Sequence, residues 1–212
     1  MLVVSTKTRM ILVRHGSTAA NEQQPYILQG CEIDQPLTPL GEWQSATLAQ
    51  VLQPYKISAI YSSTLIRSRQ TAEYLAQSHG IPVTPIHDLR ECSVGRWEGK
   101  DWQTIRREEP ELYAWYFSNP ADHPHPSGES YRQVLLRAQQ VFQTLFERHQ
   151  GETFLVVGHN MLNRAYLSQL IGIDLRHARR LKQANCCINL VEMGQEQTEL
   201  VMLNSILHLK CL

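Results

Sequence analysis

Short, continuously apolar runs alternate along the chain with stretches whose apolar residues recur every three or four positions. Met10–Arg14 (MILVR), Ile57–Tyr61 (ISAIY), Val83–Ile86 and Thr153–Val157 (TFLVV) are β-branched and short, and read as strands buried on both faces. Leu40, Trp43, Thr47, Leu48 and Val51 fall near helical spacing. Thr38 is placed as the N-cap of that helix, Pro39 takes its first position and Pro54 stops it. A second helix is predicted over Leu65–Ser78, closing at Gly80. Val134, Leu135, Ala138, Val141, Phe142, Leu145 and Phe146 form a strong amphipathic stripe that ends near Gly151. Cys187–Met193 and Glu199–Asn204 predict two final strands, with Gly194–Thr198 as a hairpin connector.

Strand–helix alternation of this kind predicts an α/β domain with a mostly parallel sheet. Gly95–Gly128 breaks the alternation. It is rich in Trp, Tyr, Pro and His, lies between two core elements, and reads as a cap-like insertion (95–128) within one domain spanning 1–212. Composition narrows the function. Twenty Lys and Arg balance twenty Asp and Glu, which argues against a general polyanion binder, so no nucleic-acid partner is expected. No apolar run approaches the roughly 20 residues of a membrane span, so no membrane partner is expected either. Met1–Val13 is interrupted by Lys7 and Arg9 and offers no secretory core. Five cysteines, an odd number with no CxxC pair, read as reduced thiols, and a cytoplasmic location is expected.

In open α/β sheets, ligands bind at the carboxyl ends of the strands. Arg14-His15-Gly16 follows the first strand directly, and Gly158-His159-Asn160 follows the Thr153–Val157 strand. Ile57–Tyr61 runs into Ser62-Ser63, with Arg67 shortly beyond. Three strand ends therefore offer two imidazoles and two guanidiniums. Arg matches phosphate oxygens bidentately, and a neutral His is a nucleophile toward phosphorus. Taken singly, each residue has a plainer reading: a loop histidine, a solvated arginine. Gly16 and Gly158 beside the two histidines leave room for close backbone approach to a ligand.

Leu12–Thr18 (LVRHGST) resembles the LxRHGxT signature of the histidine phosphatase (phosphoglycerate mutase-like) superfamily. Leu37–Gln44 (LTPLGEWQ), Tyr61–Ala72 (YSSTLIRSRQTA), Leu89-Arg90-Glu91 with Gly95–Gly99 (GRWEG), Gly128-Glu129-Ser130 and Val156–His159 (VVGH) are similar to that family's further segments, in order. The resemblance covers nearly the whole chain. It implies a three-layer α/β/α fold around a mostly parallel six-stranded sheet, with an antiparallel edge strand and a small helical cap. It also implies roles: His15 as nucleophile forming a phosphohistidine, Arg14, Arg67 and His159 around the phosphate, Asn21 reaching it, and Glu91 as general acid and then base. Glu98 is the weaker alternative for that acid. Asn160 stands where the family often has Gly, and its backbone N–H can still face phosphate.

The resemblance therefore implies a phosphomonoesterase for a small phosphorylated metabolite, needing no metal and no cofactor because the Arg and His cluster supplies the positive charge. Family mutases usually carry a longer insertion than Gly99–Gly128, so phosphoglycerate mutase is the alternative; a non-catalytic phospholigand binder is the distant one. Leu203–Leu209 (LNSILHL) is similar to the C-terminal segment of several small phosphatases in the family, which points to phosphoserine, with α-ribazole phosphate and sugar phosphates open. A zwitterionic substrate needs an anion contact. Backbone N–H groups at Gln29-Gly30 and the imidazoles of His87 or His208 are the candidates. Family members are often dimers, so the resemblance is compatible with a homodimer, and the oligomeric state is not legible in the sequence. His123 and His125 read as a plain loop, and Arg106-Arg107 as a solvated helix face.

Overall fold

The computed structural model describes residues 7–194 and 197–210. Its elements follow the predicted order: β1 (Thr8–Arg14), α1 (Ala19–Glu22), α2 (Pro39–Leu52), β2 (Ala59–Ser62), α3 (Ile66–His79) and β3 (Val83–Pro85). Then come α4 (Trp102–Glu108), α5 (Pro110–Ser118), α6 (Tyr131–Arg148), β4 (Thr153–Gly158), α7 (Asn160–Leu170), β5 (Ile188–Met193) and β6 (Thr198–Ser205). The six strands form one sheet in the order β3-β2-β4-β1-β5-β6. β1, β2, β3 and β4 are mutually parallel. The expected antiparallel pairing lies at one side, where β5 runs against both β1 and the edge strand β6. Of the connector Gly194–Thr198, residues 195 and 196 lie outside the described residues; the Gly194 N–H donates to the Gln197 carbonyl at 3.0 Å.

Period-two alternation in the strands builds both layers. Met10, Leu12, Phe154 and Val156 enter one core with the α6 and α7 side chains Val134, Ala138, Phe142 and Leu162. Ile11, Val13, Leu155 and Val157 enter the other with Leu48, Leu52, Ala72 and Leu75 of α2 and α3. The stripe on α6 is buried as its spacing demands, with Val141 partly buried beside it. The helix ends follow their local chemistry. The Thr38 hydroxyl accepts the Gly41 N–H at 3.1 Å beside Pro39, and Gly80 closes α3 in the left-handed region at φ 65°.

The segment 95–128 carries α4 and α5. Trp97, Ile105 and Tyr116 form a third apolar cluster with Leu28 and Val94. Arg106 and Arg107 are exposed, as a solvated face should be. The His125 ring is buried, with Nδ1 2.8 Å from the Glu129 carbonyl. Cys31, Cys92, Cys186 and Cys187 are free thiols. Among the described residues no helix is long and apolar enough to cross a membrane.

Register fixes where the functional loops leave the sheet. Arg14 pairs with Gly158 and Ser62 with Val157, so His15, His159 and Ser63 emerge side by side at one edge. The loop after β1 packs directly on the start of α2. A Cβ on Gly41 would lie 2.1 Å from the Ser17 carbonyl oxygen, and one on Gly16 would lie 2.5 Å from the Gly41 carbonyl oxygen. Gly41→Ala is therefore expected to destabilise the fold by about 1–3 kcal/mol through overpacking, read as a lower denaturant midpoint with unchanged m. An unchanged midpoint would show that the loop yields freely.

Candidate active site

His15 follows β1 and is 2% exposed. Its Nδ1 lies 2.7 Å from the carbonyl oxygen of Gly16. A carbonyl only accepts, so Nδ1 carries the proton and the lone pair is left on Nε2. Burial, then the charges of Arg67 and Arg14, hold the His15 pKa well below the usual 6.5. The ring of His159, at the end of β4, lies 5.1 Å from that of His15, centroid to centroid. Its pKa is held down in the same way, by burial first and Arg67 next. The Ser63 hydroxyl sits 2.7 Å from His159 Nε2 and also accepts the Leu65 N–H at 3.2 Å.

Two buried guanidiniums flank the histidines, and main-chain carbonyls hold both. Arg14 donates through Nη1 to the Gln183 carbonyl at 2.8 Å. Arg67 donates through Nη2 to the Gly30 carbonyl at 2.7 Å, and through Nη1 to that of Ile33 at 3.3 Å. The nearest carboxylate of an ion pair to Arg67 is Asp34, at 3.8 Å. Arg14 Nε, Arg67 Nε and His159 Nδ1 are all buried without a hydrogen-bond partner. Buried polar nitrogens are seldom left unpaired, and these three sit around His15 where an oxyanion would satisfy them.

Glu91 is buried beside the start of α7. Its Oε1 accepts the N–H groups of Cys92 at 2.8 Å, Met161 at 3.1 Å and Leu162 at 3.3 Å. Oε2 accepts only that of Met161, at 3.1 Å, and is the freer oxygen. Arg137 holds the loop from behind, donating to the carbonyls of Asp88, Arg90 and Glu91. Glu98 instead accepts the N–H groups of Glu32 and Ile33 at 2.8 and 2.6 Å and does not line the cleft. The residue that reaches the cleft is Glu91.

Of the residues singled out by sequence, Arg14, His15, Asn21, Gln29, Gly30, Arg67, Glu91 and Asn160 line one cleft. Asn21 Oδ1 accepts from Asn185 Nδ2 at 3.0 Å, which leaves the Asn21 amide NH2 for a ligand. Both ends of the Gln29 amide are engaged, with the Thr18 hydroxyl at 2.9 Å and the Ile33 carbonyl at 3.2 Å, so it serves as wall. His87 and His208 are not brought to the cleft. The His87 ring is exposed on a turn beside Asp88. His208 lies on a turn that packs against the α2 side of the sheet, its Nε2 3.1 Å from the Cys186 carbonyl oxygen, in an apolar cavity with Leu52 and Leu190. Sequence reasoning missed Arg164 and Arg179, which also line the cleft, and the support given by Ser63, Gln183 and Arg137. Arg164 follows Asn160 by one helical turn, a signal that was available; Arg179 has none nearby. Among the described residues no group of three or more His, Cys, Asp or Glu side chains converges as a metal ion would need.

The family model of the histidine phosphatase superfamily (branch 1) matches residues 10–206. The chain belongs to that superfamily and is a phosphoric monoester hydrolase of the histidine phosphatase type. It is 32% identical over 200 residues to a Hydrogenobacter thermophilus protein named "Putative phosphoserine phosphatase 2", covering 94% of this chain and 97% of the relative. It is 32% identical over 184 residues to "Probable phosphoglycerate mutase GpmB" of Citrobacter koseri, covering 87% of this chain and 84% of the relative. Phosphoserine phosphatase from Entamoeba histolytica, solved with 3-phosphoglyceric acid, superposes with a TM-score of 0.85 at 26% identity, covering 95% of this chain and 99% of that one.

The two depressed histidines couple stability to pH. Both are neutral in the folded state, and both take up a proton on unfolding once the pH falls below the ordinary 6.5. The unfolded chain then binds more protons, so stability drops as the pH falls. Between about pH 7 and 5 the denaturant midpoint should decline, and the decline should be shallower in a His15→Asn/His159→Asn double variant. An equal decline in that variant would assign the acid sensitivity elsewhere.

Proposed function

We propose that the protein is a metal-independent phosphomonoesterase that acts on a compact metabolite through a phosphohistidine on His15, with phosphoserine as the favoured substrate. One observation carries this reading. A neutral imidazole, its Nδ1 proton committed to the Gly16 carbonyl, faces a cleft in which buried Arg14 and Arg67 nitrogens lack acceptors. Arg14, Arg67, His159 and the Asn21 amide receive the phosphate oxygens and supply the positive charge the transferring group needs.

The His15 Nε2 lone pair attacks phosphorus. The ester P–O bond breaks, and the departing oxygen takes the proton from Glu91. A water then gives a proton to the Glu91 carboxylate as its oxygen attacks phosphorus. The N–P bond breaks, its electrons return to His15, phosphate leaves, and Glu91 is protonated again. Oε2 is the oxygen with room for that proton. The Ser63 hydroxyl, donating to His159 Nε2, keeps the His159 proton on Nδ1, where it serves as a donor to phosphate. The segment 95–128 acts as a cap, with Trp102 and Tyr116 on the leaving-group side of the cleft. Phosphoserine is favoured by the relatives named for it, and the family resemblance adds that mutases usually carry a longer insertion than Gly99–Gly128. The reading does not need His87 or His208.

The test is phosphate release from L-phosphoserine in EDTA, with His15→Ala and Glu91→Gln alongside and a 2,3-bisphosphoglycerate-primed mutase assay on 3-phosphoglycerate in parallel. Release that survives EDTA, is abolished by His15→Ala, is strongly lowered by Glu91→Gln, and passes through an acid-labile phosphoprotein trapped in the wild type during turnover supports the reading. Release retained by His15→Ala defeats the mechanism, and primed isomerisation without hydrolysis makes the protein a mutase. Ser63→Ala should lower kcat about tenfold, the loss of one hydrogen bond, with little change in KM. An unchanged kcat would remove Ser63 from the account.

A further inference from the structure

The cleft carries more positive charge than a phosphate needs. Four guanidiniums line it, those of Arg14, Arg67, Arg164 and Arg179, against the single carboxylate of Glu91. A bound phosphate monoester brings about two negative charges at neutral pH and leaves roughly two positive charges unmatched when Glu91 holds the proton it donates. Arg14 and Arg67 stand with the nucleophile. Arg164 and Arg179 are the surplus, and neither has an ion-pair partner among the described residues. Arg176, close by in sequence and exposed, does pair with Asp174, at 2.6 Å. Arg164 and Arg179 line the cleft with no carboxylate paired to them among the described residues.

Both are nonetheless held in place. Arg164 Nε donates to the Leu181 carbonyl at 2.6 Å, which fixes the stem and leaves its two Nη groups as a fork. The Arg179 guanidinium lies over the rings of Trp102 and Phe117, 4.9 and 4.4 Å from their centroids. Those faces screen it from water and strengthen any anion contact it makes. One turn before Arg164 on α7 stands Asn160, whose Oδ1 is buried without a hydrogen-bond donor and which lines the same cleft.

We infer that Arg164 and Arg179 seat a carboxylate on the leaving group, and that Asn160 Oδ1 accepts an N–H or O–H from the carbon bearing it. The substrate class is then the O-phosphorylated 2-amino or 2-hydroxy carboxylic acids. The inference rests on the phosphatase reading above and assigns the discrimination to residues outside the phosphate end of the cleft. A phosphate ester lacking the carboxylate fits the same nucleophile but leaves both forks empty, so selectivity arises by differential binding at the distal end.

The direct comparison is L-phosphoserine against O-phosphoethanolamine, which differs only by the carboxylate. The wild-type kcat/KM should favour phosphoserine by about 100-fold or more, since a charge-assisted pair with Arg gives roughly this factor. Arg164→Gln and Arg179→Gln should each shrink that ratio about tenfold, chiefly through the KM for phosphoserine. Arg106→Gln, on the exposed face of α4, should leave the ratio where it was. Thermal unfolding of each variant separates lost recognition from lost fold, because misfolding lowers both rates together and leaves the ratio intact. Equal wild-type rates on the two esters, or variants that unfold at the wild-type temperature yet lose both rates in parallel, would overturn the carboxylate seat. Calorimetric binding of the two esters to His15→Ala keeps the tests distinct. Carboxylate-dependent binding without turnover by the wild type would sustain the seat and defeat the phosphatase reading. Binding of neither ester, or of both alike, would defeat the seat.

Discussion

Two buried guanidiniums, of which only Arg67 has an ion-pair carboxylate among the described residues, Asp34 at 3.8 Å, are the constraint on which the rest of this structure depends. Removing an arginine from water costs several kcal/mol unless its donors are met and its charge is answered. Here main-chain carbonyls of Gln183, Gly30 and Ile33 meet part of the demand, and the Nε atoms of Arg14 and Arg67 remain open. Burial first, and then the same charges, hold the pKa values of His15 and His159 well below the ordinary 6.5. A carboxylate placed against Arg14 or Arg67 would relieve the burial and also fill the place an oxyanion needs. Glu91 is instead tied to the backbone N–H groups of Cys92 and of the start of α7.

Such a site needs a rigid frame. The β1, β4 and β2 ends supply it, because parallel register sets Arg14 beside Gly158 and Ser62 beside Val157. Apolar side chains alternate through these strands into cores on both faces, so the strand ends have little freedom to shift. The loop after β1 is clamped against α2 at Gly16 and Gly41, and the loop carrying Glu91 is clamped by Arg137. The part of the cleft around His15 is therefore built from the strand ends. The remainder is built from α7, the Arg179 turn and the aromatic residues of the segment 95–128, parts that can vary without disturbing His15.

Much of this was legible before the structure. Strand–helix alternation predicted the α/β frame, and Thr38-Pro39, Gly80 and the α6 stripe marked real helix features because each acts locally. Arg14, His15, Arg67 and His159 were readable because strand ends are where such sheets bind ligands. The distal half was not. Arg179 reaches the cleft only through a turn whose path depends on α7, and Gln183 acts through its carbonyl, which no side-chain pattern reveals. His87 and His208 were misplaced for a related reason. Chain order does not say on which side of the sheet a late turn packs, and the turn holding His208 packs with α2.

The central claim is that His15 waits as a neutral imidazole with its proton on Nδ1 and its lone pair on Nε2. Nitrogen-15 chemical shifts of the imidazole rings, followed from about pH 8 to 5, read protonation and tautomer together for each histidine. The account predicts that His15 stays neutral through the ordinary histidine range, with a protonated Nδ1 and an unprotonated Nε2. A His15 that titrates near 6.5, or one protonated at Nε2, would contradict it.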